Sequence, residues 1–347
     1  MENLAKLKIA GKRRTIRSST EMVRIEPLVD LGRPPMIVQC VEPLELSTWA
    51  KENLLLIESL LQQSGAILFR GFLPEGQSEM GKFNQAIHLE LMNYMEGATP
   101  RRPLGNSVYT STEFPPEQTI ALHNENSYVI SWPMKVNFCC VVAPQDRGET
   151  PIADVRKVLA RIRPAIRQRF QQKGYMLVRN FSEHLGLPWT TSFNVSTRLE
   201  VEDYCRRAWI EPTWKDDHHL MTRQVRPATA RHPRTHEEVW FNHIAFWHVS
   251  SLAPSVRQML LNDYREEGLP FATYFGDGSR IEDDLVAELR QAYEAETVRF
   301  PWQQGDLLLV DNMLVAHGRS PYSGARKIIV SMGEPYTRTD MTRNLGE

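Results

Sequence analysis

Three residues in two separate stretches have side chains that bind metal ions. His123 and Glu125 are two positions apart, and His317 follows a largely apolar run, Leu307 to Ala316. On an extended strand, residues i and i+2 point to the same face, so His123 and Glu125 would project together. Two imidazoles and one carboxylate leave open positions on an ion, and this is the ligand set of many non-haem iron(II) centres. A His-x-Glu pair alone is common by chance, so the prediction depends on the rest of the chain.

Composition narrows the class of protein. The 347 residues suit one large domain or two ordinary ones, and the 41 basic residues balance the 42 acidic ones. This balance gives no argument for nucleic acid or an acidic membrane as a partner. No apolar run approaches the ~20 residues of a spanning helix, and no signal peptide is visible. The 4 cysteines show no zinc-binding spacing, which favours a reduced, cytoplasmic protein with Cys139 and Cys140 in its core.

Hydrophobic periodicity predicts helices mixed with short strands. The predicted helices are 46–63, 78–92, 155–173, 251–266 and 282–295. The predicted strands lie within 64–72, 134–143, 152–155, 175–178, 239–242, 306–310 and 326–332. Pro164 interrupts the third helix and could begin a second one, and residues 97–118 are predicted to form a long loop. Short strands beside helices indicate an α+β protein with an antiparallel barrel or sandwich.

The predicted domain organisation has two parts. Residues 1–24 are polar and basic, which predicts a flexible tail, although an arm that touches an acidic partner is the alternative. Residues 25–347 are predicted to form a single domain. Within it, residues 174–250 are interpreted as a large insertion, which is either a lid over the site or a plain packed elaboration.

Several stretches, in this order, resemble a known family. They are Gly65–Phe72, His123–Tyr128, Gly148–Asp154, Val239–Asn242, and Gly305–Arg319 followed by Arg326–Val330. Over about residues 60–335 the chain resembles the TauD/TfdA superfamily of iron(II)/2-oxoglutarate dioxygenases, with clavaminate synthase-like features. More narrowly, it resembles the branch that contains the aspartyl hydroxylase of syringomycin biosynthesis. The resemblance implies a double-stranded β-helix, or jelly roll, with flanking helices.

Position by position, the resemblance also implies a set of site residues. His123, Glu125 and His317 match the ligands of Fe(II). Thr150 and Arg326 match the residues that hold the distal carboxylate of the cosubstrate 2-oxoglutarate. The chemistry fits, because arginine forms a bidentate, charge-assisted pair with a carboxylate and a threonine hydroxyl adds a donor.

Glu125 departs from the commonest pattern of the family, in which the carboxylate is an aspartate. The longer side chain still ligates in clavaminate synthase-like members. Related halogenases lack the carboxylate, which opens a position for chloride, so Glu125 favours hydroxylation over halogenation. Arg319 is left out of the cosubstrate set, since it could form a local ion pair.

The residues that contact the substrate are predicted to include Asn126, Asn242 and His243. The branch often has Asn-Gln-Ala where this chain has Asn242-His-Ile244. If this segment lines the substrate pocket, His243 and Ile244 would alter the choice of substrate.

The implied reaction uses O2 to convert 2-oxoglutarate to succinate and carbon dioxide while an unactivated C–H bond is hydroxylated. The implied substrate is an amino acid or an amino-acid-derived small molecule in secondary metabolism such as antibiotic biosynthesis. It is either free or tethered to an acyl or peptidyl carrier protein. Two other classes stay open: a redox-inert metal-dependent hydrolase or isomerase with zinc at the triad, and a non-catalytic scaffold.

Overall fold

The computed structural model describes residues 22–338 except 30–31, 74–76, 93–95, 98–102, 106–107, 111–113 and 184–185. Its strands are β1 (Val23–Pro27), β2 (Met36–Cys40), β3 (Ala66–Arg70), β4 (Pro103–Gly105), β5 (Val108–Thr110), β6 (Ile120–His123), β7 (Ser131–Val142), β8 (Asp146–Arg147), β9 (Ile152–Asp154), β10 (Tyr175–Phe181), β11 (Glu211–Trp214), β12 (Leu220–Arg226), β13 (Thr229–Arg231), β14 (Glu238–Trp240), β15 (Phe271–Phe275), β16 (Leu307–Asp311), β17 (Val315–Arg319), β18 (Tyr322–Ser323) and β19 (Lys327–Thr337). Its helices are α1 (Leu46–Glu52), α2 (Leu54–Ser64), α3 (Gln77–Ala86), α4 (Val155–Arg161), α5 (Pro164–Lys173), α6 (Trp189–Phe193), α7 (Arg198–Arg207), α8 (Ile244–Trp247), α9 (Pro254–Tyr264) and α10 (Asp283–Glu296).

A large sheet is the framework of the described residues, with the strand order β1-β2-β3-β16-β7-β19-β5-β4. Apart from the parallel pair β2 and β3, neighbouring strands are antiparallel. Successive side chains of a strand point to opposite faces. In β16, Leu307 and Leu309 therefore pack on one face, and Leu308 and Val310 pack on the other. Because both faces are covered, the strand appears in the sequence as one continuous apolar run.

Helices α1, α2 and α3 cover one face of the large sheet. The ring centroids of Trp49 and Phe69 are 6.0 Å apart, and those of Phe69 and Phe83 are 5.3 Å apart. Burial of such side chains stabilises the fold by about 1.5–3 kcal/mol each. The single helix predicted over 46–63 is in fact two, because the chain breaks at Asn53, whose side chain donates to Trp49 O at 2.8 Å.

A small sheet lies on the opposite face, with the order β6-β17-β9. Ile152 and Ala316 of this sheet share one hydrophobic cluster with Phe138 and Val330 of the large sheet. His317 is directly opposite His123 in the antiparallel pair β17 and β6. The sheet pairing thus brings together two histidines that are far apart in the sequence.

A third sheet, β11-β12-β10-β15, contains most of the strands in residues 174–250. Helices α6 and α7 pack on it through Phe193, Val201 and Cys205. Its fourth strand, β15, comes from outside the predicted insertion, so this segment and the chain after it form one sheet.

Most predicted elements are present, with shifted ends. Pro164 begins α5, as proposed from the sequence. The predicted helix 78–92 ends at Ala86, and the predicted loop 97–118 was wrong in part, because it contains β4 and β5. The predicted tail lies outside the described residues except for its last part, residues 22–24, of which 23–24 belong to β1.

Two predictions from composition concern the burial of the cysteines and the presence of membrane-spanning helices. Cys40, Cys139, Cys140 and Cys205 are all buried and free, which confirms the interpretation of Cys139 and Cys140 as core residues. In the described part of the chain, no helix has the length and apolar character needed to cross a membrane.

Candidate active site

The three predicted metal ligands converge in the structure. One potential ligand atom from each of His123, Glu125 and His317 lies within 4.8 Å of the others. An ion that binds such atoms at about 2.0–2.2 Å would need only small side-chain rotations. Glu125 and His317 are 4% and 5% exposed, so a buried carboxylate faces two imidazoles. This donor set fits Fe(II) with open coordination positions.

His123 has the tautomer that a metal ligand needs. Its Nδ1 lies 2.9 Å from the carbonyl oxygen of Ala121. A carbonyl only accepts hydrogen bonds, so Nδ1 carries the proton and Nε2 keeps its lone pair. A hydrogen bond to the second ring nitrogen is the usual way in which a protein orients a ligating histidine.

Glu125 is positioned differently from the prediction. Strand β6 ends at His123, so Glu125 lies in the following turn and the expected i, i+2 strand geometry is wrong. The buried side chain of Asn312 holds this turn. Its Oδ1 accepts from Glu125 N at 2.7 Å, and its Nδ2 donates to Glu125 O and Pro133 O, each at 2.8 Å.

His317 is held by packing. Its Nε2 lies 3.7 Å from Glu125 Oε2, and its Nδ1 is buried without a hydrogen-bond partner among the described residues. The ring of Phe138 packs against it at 4.9 Å in an edge-to-face arrangement. Phe138 therefore sets the orientation of this imidazole.

The triad lies in a cavity of about 450 Å³ that also contains Thr150 and Arg326. Phe138, Ile328 and Val330 form part of its apolar wall. The predicted iron and cosubstrate residues therefore line one cavity.

Thr150 is oriented by a residue that the sequence did not single out. Trp302 Nε1 donates a hydrogen bond to Thr150 Oγ1 at 3.2 Å, and both side chains are buried. The threonine oxygen is the acceptor in this contact, so its own O–H remains available to donate elsewhere. Trp302 thus leaves the hydroxyl free to donate to an anion in the cavity.

Arg326 keeps its terminal donors available. Its Nε donates to Gly148 O at 2.9 Å and its guanidinium lies 5.4 Å from the centroid of the Tyr322 ring, while among the described residues it forms no ion pair. Burial, reinforced by the nearby charge of Arg319, lowers the pKa of Arg326 to about 10, which leaves it charged at neutral pH. A desolvated cation without a carboxylate partner favours an anionic ligand.

Arg319 also lines the cavity, but both terminal nitrogens of its guanidinium are occupied. It donates to three backbone carbonyls, those of Phe114, Pro115 and Gln118, at 2.6–2.9 Å. The expected local ion pair is absent from the described residues. Arg319 instead holds the segment that leads into β6.

Of the three predicted substrate residues, His243 packs against one of the predicted metal ligands. His243 packs on His123 with ring centroids 5.8 Å apart, and its Nδ1 lies 2.6 Å from Ser127 Oγ. Burial, with a smaller contribution from His123, lowers the pKa of His243 well below its usual value. Asn242 donates to Ala228 O at 2.7 Å and accepts from Ile244 N at 3.0 Å.

Asn126 is buried in the turn after Glu125, with a left-handed φ of 55°. Its Oδ1 has no hydrogen-bond partner in the described part of the chain. The cavity that contains the triad is not lined by Asn126, Asn242 or His243.

Sequence reasoning missed the residues that orient the ligands, although one signal was present. Asp311 and Asn312 interrupt an otherwise apolar run, and both are buried. Asp311 accepts from the N–H groups of Met313 and Leu314, which turns the chain from β16 into β17. Buried polar residues between two apolar strands indicate a fixed turn.

The chain is similar to a known protein family over most of its length. Residues 25–332 match the family described as taurine catabolism dioxygenase TauD, TfdA family. The dapdiamide synthesis protein DdaC of Enterobacter agglomerans is 39% identical over 279 residues, which covers 80% of this chain and 85% of that protein. A clavaminate synthase-like protein of Arabidopsis thaliana is 31% identical over 286 residues, which covers 80% of this chain and 83% of that protein.

A solved structure shares the fold. The structure of PvcB from Pseudomonas aeruginosa has a TM-score of 0.54 at 16% identity, covering 92% of this chain and 93% of that chain. A second structure of PvcB, described as an Fe, alpha-ketoglutarate-dependent oxygenase, has the same TM-score of 0.54. The family match covers most of the chain, and the chain therefore belongs to the TauD/TfdA family of iron(II)- and 2-oxoglutarate-dependent dioxygenases.

Proposed function

We propose that the enzyme hydroxylates an unactivated C–H bond of an amino-acid-like small molecule in secondary metabolism. His123, Glu125 and His317 are the proposed ligands of Fe(II), and Thr150 and Arg326 are the proposed contacts of 2-oxoglutarate. One observation carries the proposal: all five side chains line the same cavity of about 450 Å³.

The protein's part in this reaction is to orient the reactants and to exclude water. The bound iron supplies the O2 chemistry that couples decarboxylation of 2-oxoglutarate to hydroxylation. Arg326 and Thr150 fix the distal carboxylate, while Phe138 and Val330 keep that part of the cavity apolar. Holding reactants in one geometry in a dry site lowers the barrier to reaction.

The structure favours this reaction over the alternatives. Glu125 is in place beside His317, so the position that chloride takes in related halogenases is filled by a carboxylate. A zinc hydrolase has no need of a buried, unpaired arginine in the same cavity as the metal ligands. A scaffold has no need of the tautomer of His123 that Ala121 O sets.

The substrate class is supported by the relatives. One is named for dapdiamide synthesis and the other is clavaminate synthase-like, so both names point to the biosynthesis of small molecules. An amino acid or its derivative is the proposed substrate, either free or tethered to a carrier protein. Of the proposed substrate residues Asn126, Asn242 and His243, the last packs against a proposed iron ligand.

Two features of the architecture are part of the proposal. The large sheet, which is antiparallel apart from the pair β2 and β3, and the small antiparallel sheet share one hydrophobic cluster. They are proposed to be the two halves of a jelly roll. Residues 174–250 are proposed to cover the site, since His243 within them packs on His123. A cytoplasmic location is proposed from the free cysteines.

Turnover provides the test. We expect 2-oxoglutarate to be converted to succinate only with Fe(II) and O2, and faster when a free or carrier-bound amino acid is hydroxylated. His123→Ala should abolish turnover and keep an unchanged circular dichroism spectrum, because one ligand is lost and the fold is not. Full turnover in this variant would remove His123 from the site. Substrate cleavage with zinc and no consumption of 2-oxoglutarate would support the hydrolase instead.

A further inference from the structure

A second cavity lies beside the proposed iron site, between β6, α8 and α10. It encloses about 740 Å³, part of which is open to solvent, and Leu122, Phe246 and Tyr293 are among its apolar walls. Ile120 lines both this cavity and that of the triad. The ring centroid of Phe246 is 4.8 Å from that of His123. The second cavity therefore reaches to within one side chain of a proposed iron ligand.

Arg290 of α10 brings a positive charge into this largely apolar cavity, which Glu294 and Arg299 also line. Its Nη1 donates to Ser251 Oγ at 2.9 Å and to Ser250 Oγ at 3.2 Å. Within the described residues, its other donors have no hydrogen-bond partner and it forms no ion pair. Burial lowers the pKa of this half-buried side chain, and the opposing attraction of Asp283, with which it forms no ion pair, only partly offsets that effect.

Arg299 lines the same cavity, but its charge is paired with a carboxylate. It forms an ion pair with Glu294 at 2.9 Å, and its side chain is 46% exposed. Its charge is thus neutralised within the protein and screened by solvent. Of these two arginines, Arg290 is the one whose guanidinium is not paired with a carboxylate of the described residues and can therefore bind an anionic ligand.

We propose that this cavity binds an organic anion with an apolar body, and that Arg290 binds the anionic group. The inference rests on the proposed function, because it places part of the organic substrate beside His123. Arginine recognises carboxylates and phosphates through the same pair of N–H donors. Two sources supply this chemistry: the carboxylate of a free substrate, and the phosphate of the phosphopantetheine arm of a carrier protein.

Isothermal titration of the full-length protein, without iron or 2-oxoglutarate, tests the inference. The probes are two pairs, octanoate with octan-1-ol and 4′-phosphopantetheine with pantetheine. We expect at least one anion to bind about tenfold or more tightly than its neutral partner, since a hydrogen bond to a charged group contributes this much. Preference for octanoate indicates a free acid as the substrate, and preference for 4′-phosphopantetheine indicates a carrier arm.

Variants assign the effect to one side chain. Arg290→Gln should remove the preference for the anion, Arg290→Lys should keep part of it, and Arg299→Gln should change affinity less than about twofold. The lysine variant also shows that a change at position 290 is compatible with folding. Three results would overturn the inference: neither anion binds, anion and neutral partner bind equally, or Arg290→Gln and Arg299→Gln lose the same affinity.

The outcome of this titration does not depend on whether the protein is an active oxygenase. Because the titration contains neither iron nor 2-oxoglutarate, the cavity can bind its anion even if the protein has no turnover. Conversely, the protein could be an active oxygenase while its Arg290→Gln variant binds both anions normally. This result would refute only the proposed anion binding in the second cavity.

Discussion

Arg326 is the charge on which binding of 2-oxoglutarate is expected to depend. Arg326→Gln should raise the Kd for 2-oxoglutarate on the order of 100-fold, because a buried carboxylate would lose its charge-assisted pair. Arg326→Lys should give an intermediate value, since it keeps the charge and loses the bidentate fork. Anaerobic equilibrium binding with Fe(II) measures this. An unchanged Kd in Arg326→Gln would place the cosubstrate elsewhere.

Trp302 is expected to act on the cosubstrate only through Thr150. Thr150→Val should raise the Kd for 2-oxoglutarate about tenfold through loss of a donor, and Trp302→Phe should raise it several-fold through loss of orientation. The double variant should be no weaker than Thr150→Val, because the two side chains form one unit. Two results would show that Trp302 does not orient the hydroxyl. In one, the Kd of the double variant rises by the product of the two single increases; in the other, Trp302→Phe leaves the Kd unchanged.

At the scale of elements, the close approach of β17 to β6 sets the distance between the two histidines. A Cβ atom at Gly318 would lie 2.6 Å from Ile120 O, which is backbone and has little freedom to move. Gly318→Ala should therefore push the strands apart, with a loss of stability of about 2 kcal/mol and at least tenfold weaker iron binding. Urea unfolding and iron titration measure the two effects.

Gly81 provides the matched control for this prediction. It lies in α3, and a Cβ atom there would meet nothing within 4 Å. Gly81→Ala should leave iron binding unchanged and stabilise the helix by about 0.5–1 kcal/mol. Equal iron affinity in Gly318→Ala and Gly81→Ala would mean that strand spacing does not define the site.

At the scale of the whole molecule, ligand binding should stabilise the fold. At a 100-fold excess over Kd, a ligand specific to the native state adds about 2.7 kcal/mol. Mn(II) with 2-oxoglutarate should therefore raise the unfolding temperature by a few degrees in differential scanning fluorimetry. The His317→Ala variant should show no such shift. An equal shift in both proteins would indicate that the metal binds outside the triad.

The sequence predicted the strands of the large sheet, such as β3, β7 and β16, better than it predicted how the site is held. Apolar runs such as that of β16 are visible because both faces of the strand are buried. The turn at Glu125 was not predictable from local pattern, since Asn312, far along the chain, holds it through two hydrogen bonds to the backbone of Glu125. The contact of Trp302 with Thr150 likewise depends on tertiary packing. His317 was a candidate ligand because it follows an apolar run, whereas Arg326 was assigned by resemblance, which encodes these distant contacts indirectly.

The central claim is that His123, Glu125 and His317 hold iron next to a bound 2-oxoglutarate. Anaerobic titration of Fe(II), with and without 2-oxoglutarate, tests it most directly, because an iron-bound keto acid gives a weak visible charge-transfer band. We expect the band to appear only with both ligands and to be lost in His317→Ala. Iron binding without the band, or a band that persists in His317→Ala, would contradict it.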